Sequence, residues 1–140
     1  MKGFFSYILK CADGTLYSGF TTDPKKRLIV HNSGEGARYT RLRRPVRAVS
    51  LWQWHDKSSA LSAEWHVKRL TRQKKIQLIL TPQSILQLCK KTPVRIFTEK
   101  QLDEINASAH DAPARAIKAF SGKGCEGTCE KKPAKQRMPR

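Results

Sequence analysis

Two apolar runs on either side of Asp13-Gly14 constrain the fold of this chain more than any other feature. Residues 4–9 precede this dipeptide and residues 15–20 follow it. Asp-Gly between two such runs is typical of the tight turn of a β-hairpin, because Gly and Asp tolerate the φ angles that the turn needs. The first 20 residues are therefore predicted to form two antiparallel strands, which bring Tyr7 and Tyr17 close together.

Residues 22–80 carry the signals of three helices and one further strand. Each predicted helix follows a residue that can cap it, since Ser, Thr and Asp side chains accept hydrogen bonds from the first amides of a helix. The predicted elements are a helix at 24–31 capped by Thr22 or Asp23, a strand at 46–52, a helix at 60–70 capped by Ser58 or Ser59, and a helix at 72–80 capped by Thr71. In the strand, Val46, Ala48, Ser50 and Trp52 are expected on one face. The order β-β-α-β-α-α predicts an α+β fold with a small sheet covered by helices.

The composition of the chain changes near residue 80. All Trp and Tyr residues lie in residues 1–80, which carry a net charge of +11, and residues 81–140 carry +6. Short helices are predicted at 84–88 and 99–105. From about residue 107 the chain is rich in Ala, Gly, Lys and Pro, which favours a solvated, flexible tail. We therefore expect one domain at residues 1–80 and a basic C-terminal extension at residues 81–140.

Lys and Arg outnumber Asp and Glu by 28 to 11, which gives a formal net charge of +17. So many like charges repel one another in a compact chain, which favours a polyanionic partner that neutralises them. Nucleic acid is the leading candidate. No apolar run approaches the roughly 18 residues that cross a membrane, and the short apolar stretch before Lys10 lacks a cleavage-site pattern. We therefore expect no membrane insertion and no secretion, but a cytoplasmic location, or a nuclear one in a eukaryotic cell.

The four cysteines predict neither a disulfide framework nor a zinc site. Cys11 and Cys89 are far apart, and Cys125 and Cys129 are separated by three residues with no histidine close by in sequence. Structural zinc sites bring four Cys or His ligands together at shorter, paired spacings. A reducing compartment is expected.

Four residues of the hairpin and the first helix are candidates for phosphate chemistry. Arg27 and His31 lie four residues apart, so they project from one face of the predicted helix. A guanidinium can bind a phosphate through two hydrogen bonds, and an imidazole can orient a water or share its proton. Tyr7 and Tyr17 can take a proton from water where nearby cations lower the pKa of the phenol. A solvated helix face and core tyrosines are the simpler explanations of each pair taken alone.

Glu64 lies at the edge of the apolar stripe of the second predicted helix. The stripe is formed by residues such as Ala63 and Val67. A carboxylate at a partly inward position costs free energy unless it is paired or binds a metal ion. A salt bridge to Lys68, four residues further on, explains the position as well as a metal site does.

Residues 34–44 form a basic, glycine-containing loop. Its cations alternate with an aromatic and a hydroxyl side chain, a composition that suits phosphate contacts and base stacking. A solvated run of charge is the alternative, but the position of the loop between the Arg27/His31 helix and the third strand favours binding. The candidate nucleic-acid-binding residues are Arg38, Tyr39, Arg41, Arg43 and Arg44.

Taken in order, these segments resemble the GIY-YIG nuclease superfamily, in particular its small stand-alone (YhbQ-like) members. The resemblance covers residues 4 to about 80 and rests on many short elements in the correct order. The matching segments are residues 5–14, 16–19, 21–23 with 27–28 and 31–32, 34–41, 43–46, and 63–64 with 68–70. The two naming motifs are partial, since the first reads Phe5-Ser6-Tyr7 and the second Tyr17-Ser18-Gly19. Many larger relatives also use an asparagine beyond the carboxylate helix, and residues 64–80 contain none.

The resemblance implies a metal-dependent DNA endonuclease with a three-stranded antiparallel sheet flanked by helices. The implied catalytic residues are Tyr7, Tyr17, Arg27, His31 and Glu64. Glu64 is then the ligand of one divalent cation, Mg²⁺ or Mn²⁺, because hard cations prefer oxygen ligands. The expected substrate is DNA, possibly RNA, cut with structural selectivity or weak sequence specificity in repair, recombination or processing. A non-catalytic nucleic-acid-binding module on the same fold and a ribosome-associated basic protein are the alternatives.

Overall fold

A computed structural model of the chain describes residues 2–110. Within this range the chain forms strands, α-helices and one 3-10 turn at Pro82–Ser84. In chain order the other elements are β1 (Phe4–Lys10), β2 (Leu16–Thr21), α1 (Pro24–Ser33), α2 (Arg38–Arg41), β3 (Arg47–Trp54), α3 (Lys57–Lys68), α4 (Arg72–Leu80), α5 (Ile85–Leu88), β4 (Arg95–Ile96) and α6 (Glu99–His110). The predicted α+β fold is confirmed. None of these helices is both long and apolar enough to cross a bilayer.

The strands form one antiparallel sheet in the order β2-β1-β3-β4. The predicted three strands are present, and the described part of the chain adds a fourth. This short strand, β4, pairs Arg95 and Ile96 with Gln53 and Trp52. Two residues are too few to produce an alternating pattern, so the sequence carried no signal for β4.

The hairpin connection is one residue longer than the predicted two-residue turn. The Cys11 amide donates to the Thr15 carbonyl at 2.8 Å, which continues the pairing beyond Lys10 and Leu16 and leaves a loop of three residues, 12–14. Gly14 has a φ of +87°, a left-handed conformation that Gly adopts without a steric penalty. The Asp13 carboxylate accepts hydrogen bonds from the Thr15 amide and hydroxyl, which closes the turn. A left-handed Gly at this position is typical of three-residue hairpin loops.

Side chains of β3 lie on different faces from those predicted, because the pairing of β3 with β1 is irregular. Ile8 pairs with Ser50 but Leu9 pairs with Ala48, so β3 has one extra residue at this point. An extra residue moves every following side chain to the opposite face. As a result Ala48 packs with Leu51 in one core cluster, while Trp52 packs in the other.

Two hydrophobic clusters lie on opposite faces of the sheet. Consecutive residues of β1 show this, because Tyr7 belongs to one cluster and Ile8 to the other. Helices α1 and α6 cover the Tyr7 face, and α3, α4 and α5 contribute to the Ile8 face. Strand β2 is an edge strand, so side chains from both faces can meet beside it.

The hydrophobic core continues past residue 80. Leu102 and Ile105 of α6 are buried against the Tyr7 face. The side chain of Asn106 accepts a hydrogen bond from the Ala48 amide at 2.8 Å and donates to the Ala48 carbonyl at 3.1 Å. Helix α6 also extends to His110, beyond the predicted end at residue 105. The expected boundary at residue 80 therefore does not coincide with an edge of the core. Of the tail expected from about residue 107, residues 107–110 belong instead to α6, and residues 111–140 lie outside the described residues.

Most of the predicted helix caps are confirmed. Asp23 caps α1 and Thr71 caps α4 through their side chains. The cap of α3 is instead Asp56, and the predicted caps Ser58 and Ser59 lie inside that helix. The Asp56 carboxylate accepts from both the amide and the hydroxyl of Ser59, so the stronger acceptor starts the helix earlier.

Candidate active site

Helix α1 places Arg27 and His31 one turn apart beneath the sheet. The Asp23 carboxylate fixes the start of the helix by accepting a first-turn amide at 3.2 Å. Gly34, with a φ of +90°, ends it in the left-handed conformation common at helix C-termini. His31 is fully buried and Arg27 is half-buried, so their face of α1 is not a solvated one.

The hydroxyl of Tyr7 connects these two side chains. It lies 3.2 Å from Nε2 of His31, and Nε of Arg27 donates to it at 3.3 Å. Tyr7 is itself buried in β1. A guanidinium, a phenol and an imidazole therefore form one hydrogen-bonded chain, and the phenol lies 20 or more residues from the other two in sequence.

His31 is held from its other side by the basic loop. Its Nδ1 lies 2.8 Å from the hydroxyl of Thr40, which in turn donates to the Ala37 carbonyl at 3.0 Å. Burial, and then the Arg27 guanidinium, lower the pKa of His31 to about 3. The imidazole is therefore neutral at physiological pH and has one ring nitrogen with a lone pair.

Tyr17 completes the aromatic wall around His31. Its ring centroid lies 5.4 Å from that of His31 in an edge-to-face arrangement, and the ring stacks on Tyr39 at 5.9 Å. On the opposite strand Tyr7 pairs with Gly19, where a Cβ atom would overlap the Tyr7 hydroxyl. The absence of a side chain at Gly19 therefore leaves the space that the Tyr7 hydroxyl occupies.

Glu64 lies on α3, which covers the opposite face of the sheet from α1. Its carboxylate is 7% exposed and lies 3.0 Å from Nζ of Lys68. The salt bridge expected as the alternative to a metal site is thus present. Burial, and then repulsion from Lys68, lower the pKa of Lys75 on α4, so a second ammonium lies in the same region.

The basic loop is ordered by its own arginines and includes the one-turn helix α2. Arg43 forms a salt bridge with Asp13 at 3.0 Å, and its guanidinium carbon lies 4.2 Å from the centre of the Tyr39 ring. Arg41 donates to the Gly34 carbonyl, and Arg44 donates to the Arg41 carbonyl. Arg38 and Tyr39 are both exposed. The loop thus brings cations beside Tyr17, and Arg43 also ties it to the hairpin turn.

The donor set around Glu64 fits a hydrated magnesium or manganese ion better than a fully protein-bound metal. Within residues 2–110, no three His, Cys, Asp or Glu side chains lie close enough together to hold a metal ion. Mg²⁺ usually keeps several waters and binds one or two carboxylates together with substrate phosphates. The single buried carboxylate of Glu64 would satisfy this requirement once Lys68 releases it.

Two residues that sequence reasoning left without a role support this site. Thr40 contacts His31 directly, and Gly36 passes so close that a Cβ atom there would lie 2.6 Å from Nδ1 of His31. Thr40 was visible only as a hydroxyl among cations. The contacts of Thr40 and Gly36 with His31 could not be predicted from sequence spacing, because the path of the loop brings both residues to His31.

Comparison with known proteins identifies the fold of this site. Residues 3–77 match the GIY-YIG catalytic domain, which is more than half of the chain. The chain belongs to the GIY-YIG family. Members of this family are in general endonucleases, and the chain has their nuclease-type fold.

Similar sequences place the chain among small proteins of this family. A "UPF0213 protein" of Lactococcus lactis subsp. cremoris is 50% identical over 80 residues, which cover 56% of this chain and 82% of that protein. UPF0213 protein SSP2268 of Staphylococcus saprophyticus is 48% identical over 79 residues, covering 56% of this chain and 96% of the relative. The solution NMR structure of UPF0213 protein BH0048 from Bacillus halodurans is 41% identical, with a TM-score of 0.38, and covers 64% of this chain and 98% of that one. The resemblance to the small stand-alone members of the family is confirmed.

Proposed function

We propose that this protein is a metal-dependent endonuclease that hydrolyses phosphodiester bonds of DNA. We also propose that it recognises DNA by structure or with weak sequence specificity, and that it acts in DNA repair, recombination or processing. The observation that carries it is the hydrogen-bonded chain from Arg27 through Tyr7 to His31. A purely structural core would not need a guanidinium, a phenol and a buried imidazole in one chain.

Arg27 and Tyr7 have complementary roles in this proposal. Arg27 contacts the phenol through Nε, and in this proposal its guanidinium also binds the phosphate. There it offsets the negative charge that grows on the phosphate as water attacks. The phenolic oxygen of Tyr7 takes a proton from the attacking water, and Tyr17 beside it positions that water.

Glu64 is the residue that would hold a divalent cation, and Lys68 would have to release the carboxylate. When bound, Mg²⁺ or Mn²⁺ polarises the scissile phosphate and stabilises the leaving oxygen. Because β2 is an edge strand, a phosphate beside it can be reached from α1 on one face and from α3 on the other. The proposal places the DNA backbone at this edge.

The basic loop supplies the remaining contacts with DNA. Arg38, Arg41 and Arg44 are exposed, and Tyr39 presents a stacked ring next to Tyr17. Cations and an aromatic ring at one surface suit phosphate contacts and base stacking. Arg43 contributes charge as well, but its salt bridge with Asp13 gives it a structural role too.

Plasmid nicking in Mg²⁺ or Mn²⁺ tests the proposal. The wild-type chain is expected to convert supercoiled DNA to nicked or linear DNA. Glu64→Ala is expected to lose cleavage while DNA binding changes little, because the replacement removes the metal ligand but no phosphate contact. Glu104→Gln is the matched control, since it also removes one carboxylate but lies exposed on α6. Cleavage by Glu64→Ala at the wild-type rate would contradict the metal site.

A non-catalytic nucleic-acid-binding module is the second candidate, and the Glu64–Lys68 ion pair favours it. In that case Lys68 neutralises Glu64 permanently and the carboxylate only stabilises α3. The same experiment separates the two functions, because a binding module would bind the plasmid but leave it uncut in either metal.

A further inference from the structure

Thr40 is a fully buried hydroxyl within a strongly basic loop. Its oxygen lies 2.8 Å from Nδ1 of His31 and 3.0 Å from the carbonyl oxygen of Ala37. A hydroxyl has one proton to donate and can also accept. A carbonyl oxygen can only accept, so the contact with Ala37 uses the Thr40 proton.

The direction of the hydrogen bond from Thr40 to Ala37 determines which ring nitrogen of His31 carries the hydrogen. If Thr40 donates to Ala37, its oxygen must accept from Nδ1–H of His31. A neutral imidazole has one N–H, so Nε2 then has the lone pair. His31 is neutral, because burial and Arg27 hold its pKa at about 3.

The lone pair of Nε2 faces the Tyr7 hydroxyl at 3.2 Å. We propose that Thr40 is a positioning residue that holds His31 in the Nδ1–H tautomer, so that Nε2 accepts the proton of Tyr7. Arg27 donates to the phenolic oxygen from the other side, which favours negative charge on that oxygen. The use of this proton in catalysis rests on the proposed function, whereas the tautomer does not.

The proton transfer is balanced within these groups. The O–H bond of the attacking water breaks as its proton moves to the phenolic oxygen, and in the same step the O–H bond of Tyr7 breaks and an N–H bond forms at Nε2. The two transfers occur together because an imidazole with a pKa of about 3 is too weak a base to leave a free phenolate. The acidic imidazolium of His31 then returns its extra proton to solvent.

The close approach of Gly36 is consistent with a fixed ring. A Cβ atom there would lie 2.6 Å from Nδ1 and 2.8 Å from Cα of His31. The loop therefore packs against the Nδ1 edge of the ring and brings Thr40 to it. In the opposite tautomer Thr40 would donate to Nδ1, Nε2–H would point at Tyr7, and the imidazole could not receive the phenolic proton.

The tautomer is measured directly by long-range ¹H–¹⁵N NMR of the full chain at neutral pH. Thr40→Val removes the hydroxyl with little change of shape, and Thr40→Ser is the control that keeps it. Wild type and Thr40→Ser are expected to show a hydrogen on Nδ1 of His31, and Thr40→Val is expected to shift it toward Nε2. Hydrogen on Nε2 in the wild type, or an unchanged tautomer in Thr40→Val, overturns the inference. If Thr40→Val does not fold, Thr40→Ala takes its place.

Cleavage rates separate this inference from the proposed function. At saturating DNA, Thr40→Val is expected to lower the single-turnover rate by about tenfold or more with unchanged DNA affinity, since proton transfer acts on the chemical step. Thr40→Ser is expected to restore the rate. A wild type with the Nδ1–H tautomer but no nuclease activity would overturn the proposed function and leave the tautomer assignment supported.

Discussion

The ammonium of Lys68 lies 3.0 Å from a carboxylate oxygen of Glu64, one turn away on the same helix. The lysine is about one-third exposed, whereas the carboxylate is almost fully buried. In the proposed enzyme, the ammonium of Lys68 therefore occupies the position at which a divalent ion would bind. Metal binding is then a competition between the two cations for one carboxylate.

Removing this competitor should strengthen metal binding. Lys68→Gln is expected to lower the Mn²⁺ concentration for half-maximal binding about two- to fivefold, because a partly exposed ion pair contributes up to about 1 kcal/mol. Calorimetric titration of the chain with Mn²⁺ measures this directly. Lys57→Gln, which removes an exposed charge from the same helix, is the matched control. Equal metal affinity of wild type and Lys68→Gln would show that Lys68 does not compete.

The buried imidazole of His31 should make stability depend on pH. Its pKa is about 3 in the folded chain, against an ordinary value of 6.5 that the unfolded chain retains. Above about pH 6.5 the imidazole is neutral in both states, and below that value only the unfolded chain binds the proton. The contribution of His31 to the free energy of unfolding is therefore complete above pH 6.5. It is lost as the pH falls toward 3, and the loss amounts to about 5 kcal/mol at most.

Urea unfolding of wild type and His31→Gln between pH 7.5 and 4.5 isolates this contribution. The difference in unfolding free energy between the two should fall by about 1.4 kcal/mol per pH unit below about pH 6. The other titrating groups cancel in the difference. A difference that does not change with pH would contradict the burial of a neutral imidazole.

The basic loop and the C-terminal extension should have separable effects on DNA cleavage. Because Ala109 is buried in the core, a truncation must keep residues 2–110. A chain that ends at residue 110 loses eight Lys and Arg residues. It should bind duplex DNA more weakly, with the salt slope reduced by about 0.9 for each lost phosphate contact, at an unchanged saturated cleavage rate.

The double variant Arg38→Gln with Arg41→Gln should reduce both DNA affinity and the saturated rate, because the loop lies beside the site. Arg43 is left in place, since its salt bridge with Asp13 supports the hairpin turn. Salt-dependent binding and single-turnover cleavage measure the two effects. A truncated chain that binds normally but cannot cut at saturating DNA would mean that the extension completes the active site.

Local signals predicted the parts of this site that depend on neighbours in sequence. The hairpin, the ends of α1 and the shared face of Arg27 and His31 follow from turn residues, caps and helical spacing. Glu64 was placed at the edge of an apolar stripe, and spacing alone allowed both a metal ligand and an ion pair with Lys68. The structure contains the ion pair. The expected competition with metal requires in addition that Glu64 binds the metal ion.

Features that depend on long-range packing were missed. Ile105 and Asn106 lie on α6, which packs on β3, a strand that ends about 50 residues earlier, so periodicity within α6 could not indicate which surface it covers. The irregularity between β1 and β3 reversed the predicted faces of β3 because register is set between strands. Thr40 reaches His31 through a loop, whose path no local pattern specifies.

Replacing Tyr7 by Phe tests the central claim most directly. The substitution removes one oxygen, the atom that connects Arg27 with His31, and keeps the ring that packs in the core. The measurement is the single-turnover cleavage rate at saturating DNA and Mg²⁺, alongside DNA affinity and thermal stability. The account predicts a rate lower by ~10²–10⁴-fold with nearly unchanged affinity. A Tyr7→Phe chain that cuts DNA at the wild-type rate would contradict it.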